Sequence, residues 1–188
     1  MAREIWKPGN MLYPLPAAIV TCGDLNDVYN ALTIAWTGTI CTNPAMVYIS
    51  VRPERFSYSL IRESGEFVIN LTTKKLARAT DYCGVVSGKD VNKFEKMHLT
   101  PVPAAKVHAP LIEESPVNIE CKVTEVKELG SHHMFIAQVL CVDVNPVYMD
   151  KKGKFSLQKA GIIAYSHGEY FTLGQKLGKF GYSVQKKG

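Results

Sequence analysis

Two runs decide the fold of this 188-residue chain: Val117-Asn118-Ile119-Glu120-Cys121-Lys122-Val123-Thr124-Glu125-Val126 and Met134-Phe135-Ile136-Ala137-Gln138-Val139-Leu140-Cys141-Val142-Asp143-Val144. In the first, apolar residues fall at 117, 119, 121 and 123, the period of a strand buried on one face. The phase breaks at Thr124-Glu125 before Val126, which predicts a bulge or a bend. In the second, both parities are apolar: Phe135, Ala137, Val139 and Cys141 oppose Ile136, Leu140, Val142 and Val144. That pattern predicts a central strand covered on both faces.

Upstream, four shorter runs rich in β-branched and aromatic residues read as strands: Ala17–Cys22, Ala31–Thr37, Met46–Val51 and Glu66–Leu71. Turn clusters such as Gly23-Asp24 and Thr42-Asn43-Pro44 separate them. Short helices are expected after Phe56, where Ser57 is placed to cap, and over Lys74–Tyr82 and Asp90–Met97. A connector with four prolines, Thr100–Pro116, joins the two halves. Many antiparallel strands with few, short helices predict a mainly β fold, a barrel with peripheral helices. No repeat or long linker divides the chain, so residues 1–188 read as one domain.

Composition narrows the function classes. With 46% hydrophobic and 21% charged residues, the chain can bury a core and is not disordered. No run of about 18 apolar residues exists to span a membrane as a helix. Met1–Gly9 carries Arg3, Glu4 and Lys7 and lacks the apolar segment of a signal peptide, so a cytoplasmic location is expected. The five cysteines, at 22, 41, 83, 121 and 141, contain no CxxC pair, which excludes zinc-ribbon and thioredoxin readings. Cys22, Cys121 and Cys141 lie in apolar runs and are expected to be buried, inert thiols. The net charge is +5, and Gly174–Gly188 holds Lys176, Lys179, Lys186 and Lys187 without an acid. Such a tail is expected to be solvated, with no nucleic acid and no membrane as partner.

There is no GxxxxGK[ST] loop, no GxGxxG and no GxSxG elbow, so nucleotide-hydrolase, Rossmann and serine-hydrolase readings lack support. His132 and His133 are neighbours on a strand and point to opposite faces, so no metal site is expected. The segment Ser50-Val51-Arg52-Pro53-Glu54-Arg55-Phe56-Ser57-Tyr58-Ser59 ends a strand, adds two arginines and opens a helix with hydroxyl residues. Helix N–H groups, a hydroxyl and a guanidinium together suit a phosphate, although a capped helix with solvated arginines has the same residues. Ser87-Gly88-Lys89-Asp90-Val91-Asn92-Lys93-Phe94 repeats the theme with two lysines. Trp36 precedes Thr37-Gly38-Thr39, where a small residue lets a flat ligand approach the backbone.

Taken in order, these segments resemble the flavin reductase-like family of FMN-binding split β-barrels, and within it the flavoredoxin branch. The resemblance begins at Tyr13-Pro14-Leu15-Pro16 and continues through Asn30-Ala31-Leu32-Thr33-Ile34-Ala35-Trp36 and Ser50 to Ile61. Further on it covers Glu66 to Asn70, Asp81-Tyr82-Cys83-Gly84, Ser87 to Phe94, Asn118 to Cys121 and Gly130-Ser131-His132. It closes on Tyr170 to Gly174 with Leu177 to Gly181, the piece that favours the flavoredoxin branch.

The resemblance implies a Greek-key split barrel that forms a homodimer with FMN near the subunit interface. By position it implies that Asn30, Trp36, Thr37, Gly38 and Thr39 line the flavin ring. Ser50, Arg52, Ser57 and Tyr58 would hold ribityl and phosphate, with Ser87, Lys89 and Lys93 adding to the phosphate site. His132 matches the family histidine near the ring and is the candidate catalytic residue. Two activities are compatible with it: reduction of flavin or a downstream acceptor by NAD(P)H as transient donor, or electron carriage from a protein partner. In the second, the lysine tail would steer an acidic redox protein.

Overall fold

The computed structural model describes residues 3–184; Met1 and the tail lysines Lys186 and Lys187 lie outside the described residues. Among the described residues the strands are β1 (Leu15–Pro16), β2 (Ala18–Gly23), β3 (Tyr29–Ile34), β4 (Thr37–Thr42), β5 (Ala45–Val51), β6 (Glu66–Leu71), β7 (Pro101–Val102), β8 (Leu111–Ile112), β9 (Val117–Glu128), β10 (His133–Val144), β11 (Ile163–Ser166) and β12 (Glu169–Thr172). The α-helices are α1 (Phe56–Ser64), α2 (Ala77–Val85), α3 (Lys93–Met97) and α4 (Leu157–Ala160). The main sheet runs β3-β2-β6-β9-β10-β5-β4, and its neighbours pair antiparallel. Its two edge strands, β3 and β4, are consecutive in the chain and joined only by Ala35-Trp36. The sheet therefore curls until its edge strands adjoin at that connection, the seam, and the Ser50 amide donates to the Trp36 carbonyl (2.9 Å), carrying the β5–β4 pairing back to the bend. This is the mainly β, Greek-key split barrel with short peripheral helices that the sequence leads one to expect.

Alternation places the core. Val20, Val47, Ile49, Phe67, Phe135 and Ala137 fill the barrel, and α1 closes it with Ile61. On the outer face of β2 and β3, α2 and α3 bury Ile19, Ala31, Ala79, Cys83 and Phe94 together. The connector Thr100–Pro116 forms the β7–β8 ribbon and covers β6 with Val107, Ala109 and Leu111. The fully buried Glu120 carboxylate pins it by accepting from the Ala105 and Lys106 amides (2.8 and 2.6 Å). The phase break at Thr124 is a bulge: Ile136 faces Glu125 and Ala137 faces Val123, leaving Thr124 without a partner.

Several expectations need correction. The strand read as Ala31–Thr37 is Tyr29–Ile34, and a separate edge strand, β4, follows a bend at Trp36. Ser57 does not cap α1; Arg55 occupies the N-cap position with no side-chain bond, and Ser57 lies one turn-position inside, fully buried. The run Lys74–Tyr82 splits into a 3-10 turn at Lys74–Leu76 and α2. The helix read from Asp90 starts at Lys93, because the Asn92 side chain accepts from the Phe94 and Glu95 amides. Strand β10 is central, but only its inner face is well covered: Gln138 is exposed and Val142 is 51% exposed. Cys141 is half-buried, and all five cysteines are free thiols.

Candidate functional site

The basic segment after β5 and the loop after α2 come together at the mouth of the barrel. They enclose a cleft of about 350 Å3 lined by Asn30 and Leu32 of β3, Arg52, the Glu54 carboxylate with Arg55 to Ser57, Val86 to Gly88, and Lys93. Each polar side chain is set by its surroundings. Ser57, pulled inside by the helix register, has its hydroxyl on the Asn30 amide nitrogen, which donates to it at 2.9 Å. Gly88 lies over Asn30 so closely that a Cβ there would come within 2.3 Å of the Asn30 carboxamide oxygen. Only glycine lets the loop approach that far.

Lys93 is the least ordinary residue here. It is 3% exposed, and its ammonium donates to the Ala31 carbonyl (2.7 Å) and the Cys83 carbonyl (3.0 Å). Burial pulls its pKa below the usual lysine value; the Cys83 thiol opposes that shift and the Arg55 guanidinium adds to it. Neither Lys93 nor Arg55 has a carboxylate within ion-pairing distance among the described residues, whereas the half-exposed Arg52 meets Glu54 at 3.4 Å. The first turn of the nine-residue α1 has no side-chain cap, and Phe56 and Ser57 of that turn line the cleft. Uncapped N–H groups, two unpaired cations, a hydroxyl and a carboxamide form a donor set suited to a phosphorylated, hydroxyl-rich ligand.

The remaining candidates divide into those near the cleft and those held elsewhere. Ser87 lines it, and its hydroxyl accepts from the Lys89 amide (3.2 Å). Lys89 borders an adjoining groove that shares Asn30, Phe56, Gly88 and Lys93 with the cleft. Trp36, at the seam, stacks on His132 with centroids 5.9 Å apart and planes 17° apart. The His132 pKa is lowered, first by burial and then by Arg52, while Glu54 works against Arg55. Those charges place the stack beside the arginine segment. By contrast Thr37 donates to the Tyr48 carbonyl (2.7 Å), and the flat group over Gly38 is the Tyr48 ring, 3.1 Å from where a Cβ would stand. Thr39 is exposed on the edge strand, and Ser50 is paired to Met134. The Tyr58 hydroxyl lies 2.8 Å from His133 Nδ1 and accepts from Arg62 (2.8 Å). None of these five lines the cleft.

His132 and His133 do part company, one toward Trp36 and the other toward Tyr58. Arg55 is a residue that sequence reasoning missed as a site residue, although it stands in the quoted segment. Its place just before the helix was the available signal. The thiols of Cys22 and Cys121 are pushed up to about 12, and that of Cys83 to about 11, in each case first by burial. They are inert as nucleophiles at neutral pH.

The family model described as flavin reductase like domain matches residues 11–174. A protein of Archaeoglobus fulgidus is 31% identical over 172 residues, covering 92% of this chain and 95% of its own. Flavoredoxin of Desulfovibrio vulgaris (Miyazaki F) superposes with a TM-score of 0.90 at 28% identity, covering 98% of this chain and 100% of its own. Flavoredoxin from Methanosarcina acetivorans gives 0.85 at 25% identity, with the same coverage of both chains.

Proposed function

The chain belongs to the flavin reductase-like family, and from that footing we propose that it binds FMN in the basic cleft and acts as an FMN-dependent oxidoreductase. The observation that carries this reading is the pair of unmatched cations, Arg55 and Lys93, at the uncapped start of α1. Lys93, Arg55, Arg52 and the first-turn amides would hold the phosphate, with Ser87 and Lys89 at its edge. Asn30 and Ser57 offer a donor and a hydroxyl to the ribityl chain. Trp36 and His132 present flat faces at the seam, where the ring system would end. When bound, FMN supplies reversible hydride chemistry; the protein orients it and sets its electrostatic surroundings. His132 can donate a hydrogen bond or a positive charge at that end, a role that burial first, and then the neighbouring arginines, keep weak at neutral pH.

NAD(P)H is the proposed donor, with flavin or a downstream acceptor as the product side. Electron carriage from an acidic protein partner is favoured by one observation: the segment after β12 is exposed and carries Lys176 and Lys179. Two copies are proposed to associate over the β4–β5–β10 wall of the barrel, because Ile40 (48%) and Val142 (51%) leave large apolar side chains exposed there. Free thiols throughout fit a reducing compartment such as the cytoplasm. Among the described residues no helix is long and apolar enough to cross a membrane.

The test is spectroscopic. The purified protein is expected to carry or take up FMN with a visible flavin band, and anaerobic NADH or NADPH to bleach it within seconds. A band that stays unchanged supports the carrier. A protein that takes up no FMN refutes both. Sedimentation at micromolar concentration is expected to show a dimer, and a monomer would sink the proposed association.

A further inference from the structure

Away from the cofactor site, a cavity of about 360 Å3 opens between the start of α2 and the end of α3. It shares no lining residue with the basic cleft or the groove beside it. Leu76, Ala79 and Leu99 are buried and, with the half-buried Met97 and Tyr148, make much of its wall apolar. Lys75, Arg78 and Lys96 also line it and are exposed, and none of them has a carboxylate within ion-pairing distance among the described residues. One carboxylate is present, that of Glu114, and it is already engaged. It accepts from the Thr100 amide at 3.1 Å to each oxygen and from the Thr100 hydroxyl at 2.7 Å. Three cations against one carboxylate leave two positive charges in surplus.

Two features at the cavity wall point to a ligand. Thr73 is 3% exposed, yet its side chain caps nothing and makes no hydrogen bond among the described residues. Buried hydroxyls ordinarily have a partner. No fully enclosed side-chain nitrogen or oxygen among the described residues lacks one, so the open side of the Thr73 hydroxyl is the cavity that it lines. His98 ends α3 at φ 53, a left-handed conformation that α1 and α4 give to Gly65 and Gly161. A side chain is kept there against the backbone preference, and it adds an imidazole to the wall.

We propose that this cavity is a second anion site, separate from the flavin cleft, that takes a small phosphate monoester with an apolar body of about one ring. The phosphate meets Lys75, Arg78 and Lys96, the Thr73 hydroxyl donates to it, and the ring lies on Leu76, Met97 and Tyr148. A phosphate monoester carries about 1.5 to 2 negative charges at neutral pH, which matches the surplus; a carboxylate carries one. Its oxygens accept the charge-assisted hydrogen bonds that ammonium and guanidinium groups offer. The volume falls within the range of small-molecule pockets, roughly 300 to 1,000 Å3.

Phenyl phosphate is the probe, titrated into the 15N-labelled full chain and followed by amide shifts. Saturable shifts are expected at Thr73, Arg78 and His98; shifts at Gly88 and Lys93 report the flavin cleft and are read separately. Arg78→Gln and Lys96→Gln, both at exposed positions, should each weaken the cavity response about three- to tenfold, since their charges are partly solvated. Thr73→Val should weaken it about two- to tenfold without lowering the melting temperature, because the hydroxyl has no partner in the protein to lose. Inorganic phosphate, which lacks the ring, and benzoate, which lacks the second charge, should each bind about fivefold or more weakly. Shifts confined to the cleft residues, benzoate or inorganic phosphate binding as tightly as phenyl phosphate, or full affinity in the Arg78→Gln and Lys96→Gln proteins overturns the proposal.

Discussion

Replacing Lys93 by Gln removes one charge from a site where charge is scarcely screened. The ammonium has three donors. Two are taken by the Ala31 and Cys83 carbonyls at 2.7 and 3.0 Å, which leaves one for the cleft. The expected loss is therefore a single charge-assisted hydrogen bond, about 1.5–3 kcal/mol. That corresponds to FMN affinity falling roughly tenfold to 150-fold. Riboflavin, which lacks the phosphate, is expected to change little, so the ratio of the two affinities isolates the phosphate contribution. Equilibrium fluorescence titration of both ligands into both proteins measures that ratio. There is also a pH signature. The ammonium holds an anion only while protonated, and burial has lowered its pKa. Affinity of the unsubstituted protein should fall as pH rises through that lowered value, below the ordinary lysine range, and the Gln variant should lose the dependence. Equal losses for FMN and riboflavin would refute the reasoning and show that Lys93 serves only to tie α3 to β3.

Arg52→Ala is expected to weaken FMN binding only about two- to fivefold, because its guanidinium is half-exposed and already faces Glu54, where solvent screening leaves little; calorimetry of FMN binding checks this. His132, with its pKa lowered, should titrate below 6.5 by NMR, and Arg52→Ala should move the midpoint up. Because the folded protein prefers the neutral ring, the stability associated with His132 should be fully present above its unfolded value near 6.5 and be lost as pH falls from there through the lowered folded value, as thermal melts across that window would record. His132→Ala should leave FMN bound while changing its reduction rate or potential, measured by anaerobic stopped flow and redox titration; an unaltered rate and potential would make the histidine a packing residue. Phe135→Ala, at the fully buried centre of the barrel, should cost about 3–5 kcal/mol in denaturant unfolding.

What the sequence determined by itself is what local patterning can encode. A period of two survives reading along a single chain, so Glu66–Leu71 matches β6 at both ends, and the phase break at Thr124 marks a real bulge. The basic segment Arg52–Ser57 and the Ser87–Lys93 loop were legible as two candidate phosphate-binding segments, because cations and free amides in sequence neighbourhoods suit a phosphate, and the fold brings both to one cleft. Tertiary structure decided the rest. The bend at Trp36 exists because the two sheet edges must meet, which no window around residue 36 contains. Thr37, Gly38 and Tyr58 look like ligand contacts in isolation, yet their donors and surfaces are taken by Tyr48 and His133 from other strands. Lys93 reads only as one of two lysines at a turn-to-helix junction until β3 and α2 bury it, and Arg55 lines two cavities only once α2 and the C-terminal hairpin pack beside it. Burial, pairing and charge neutralisation are properties of residues far apart in sequence, so only the folded chain sets them.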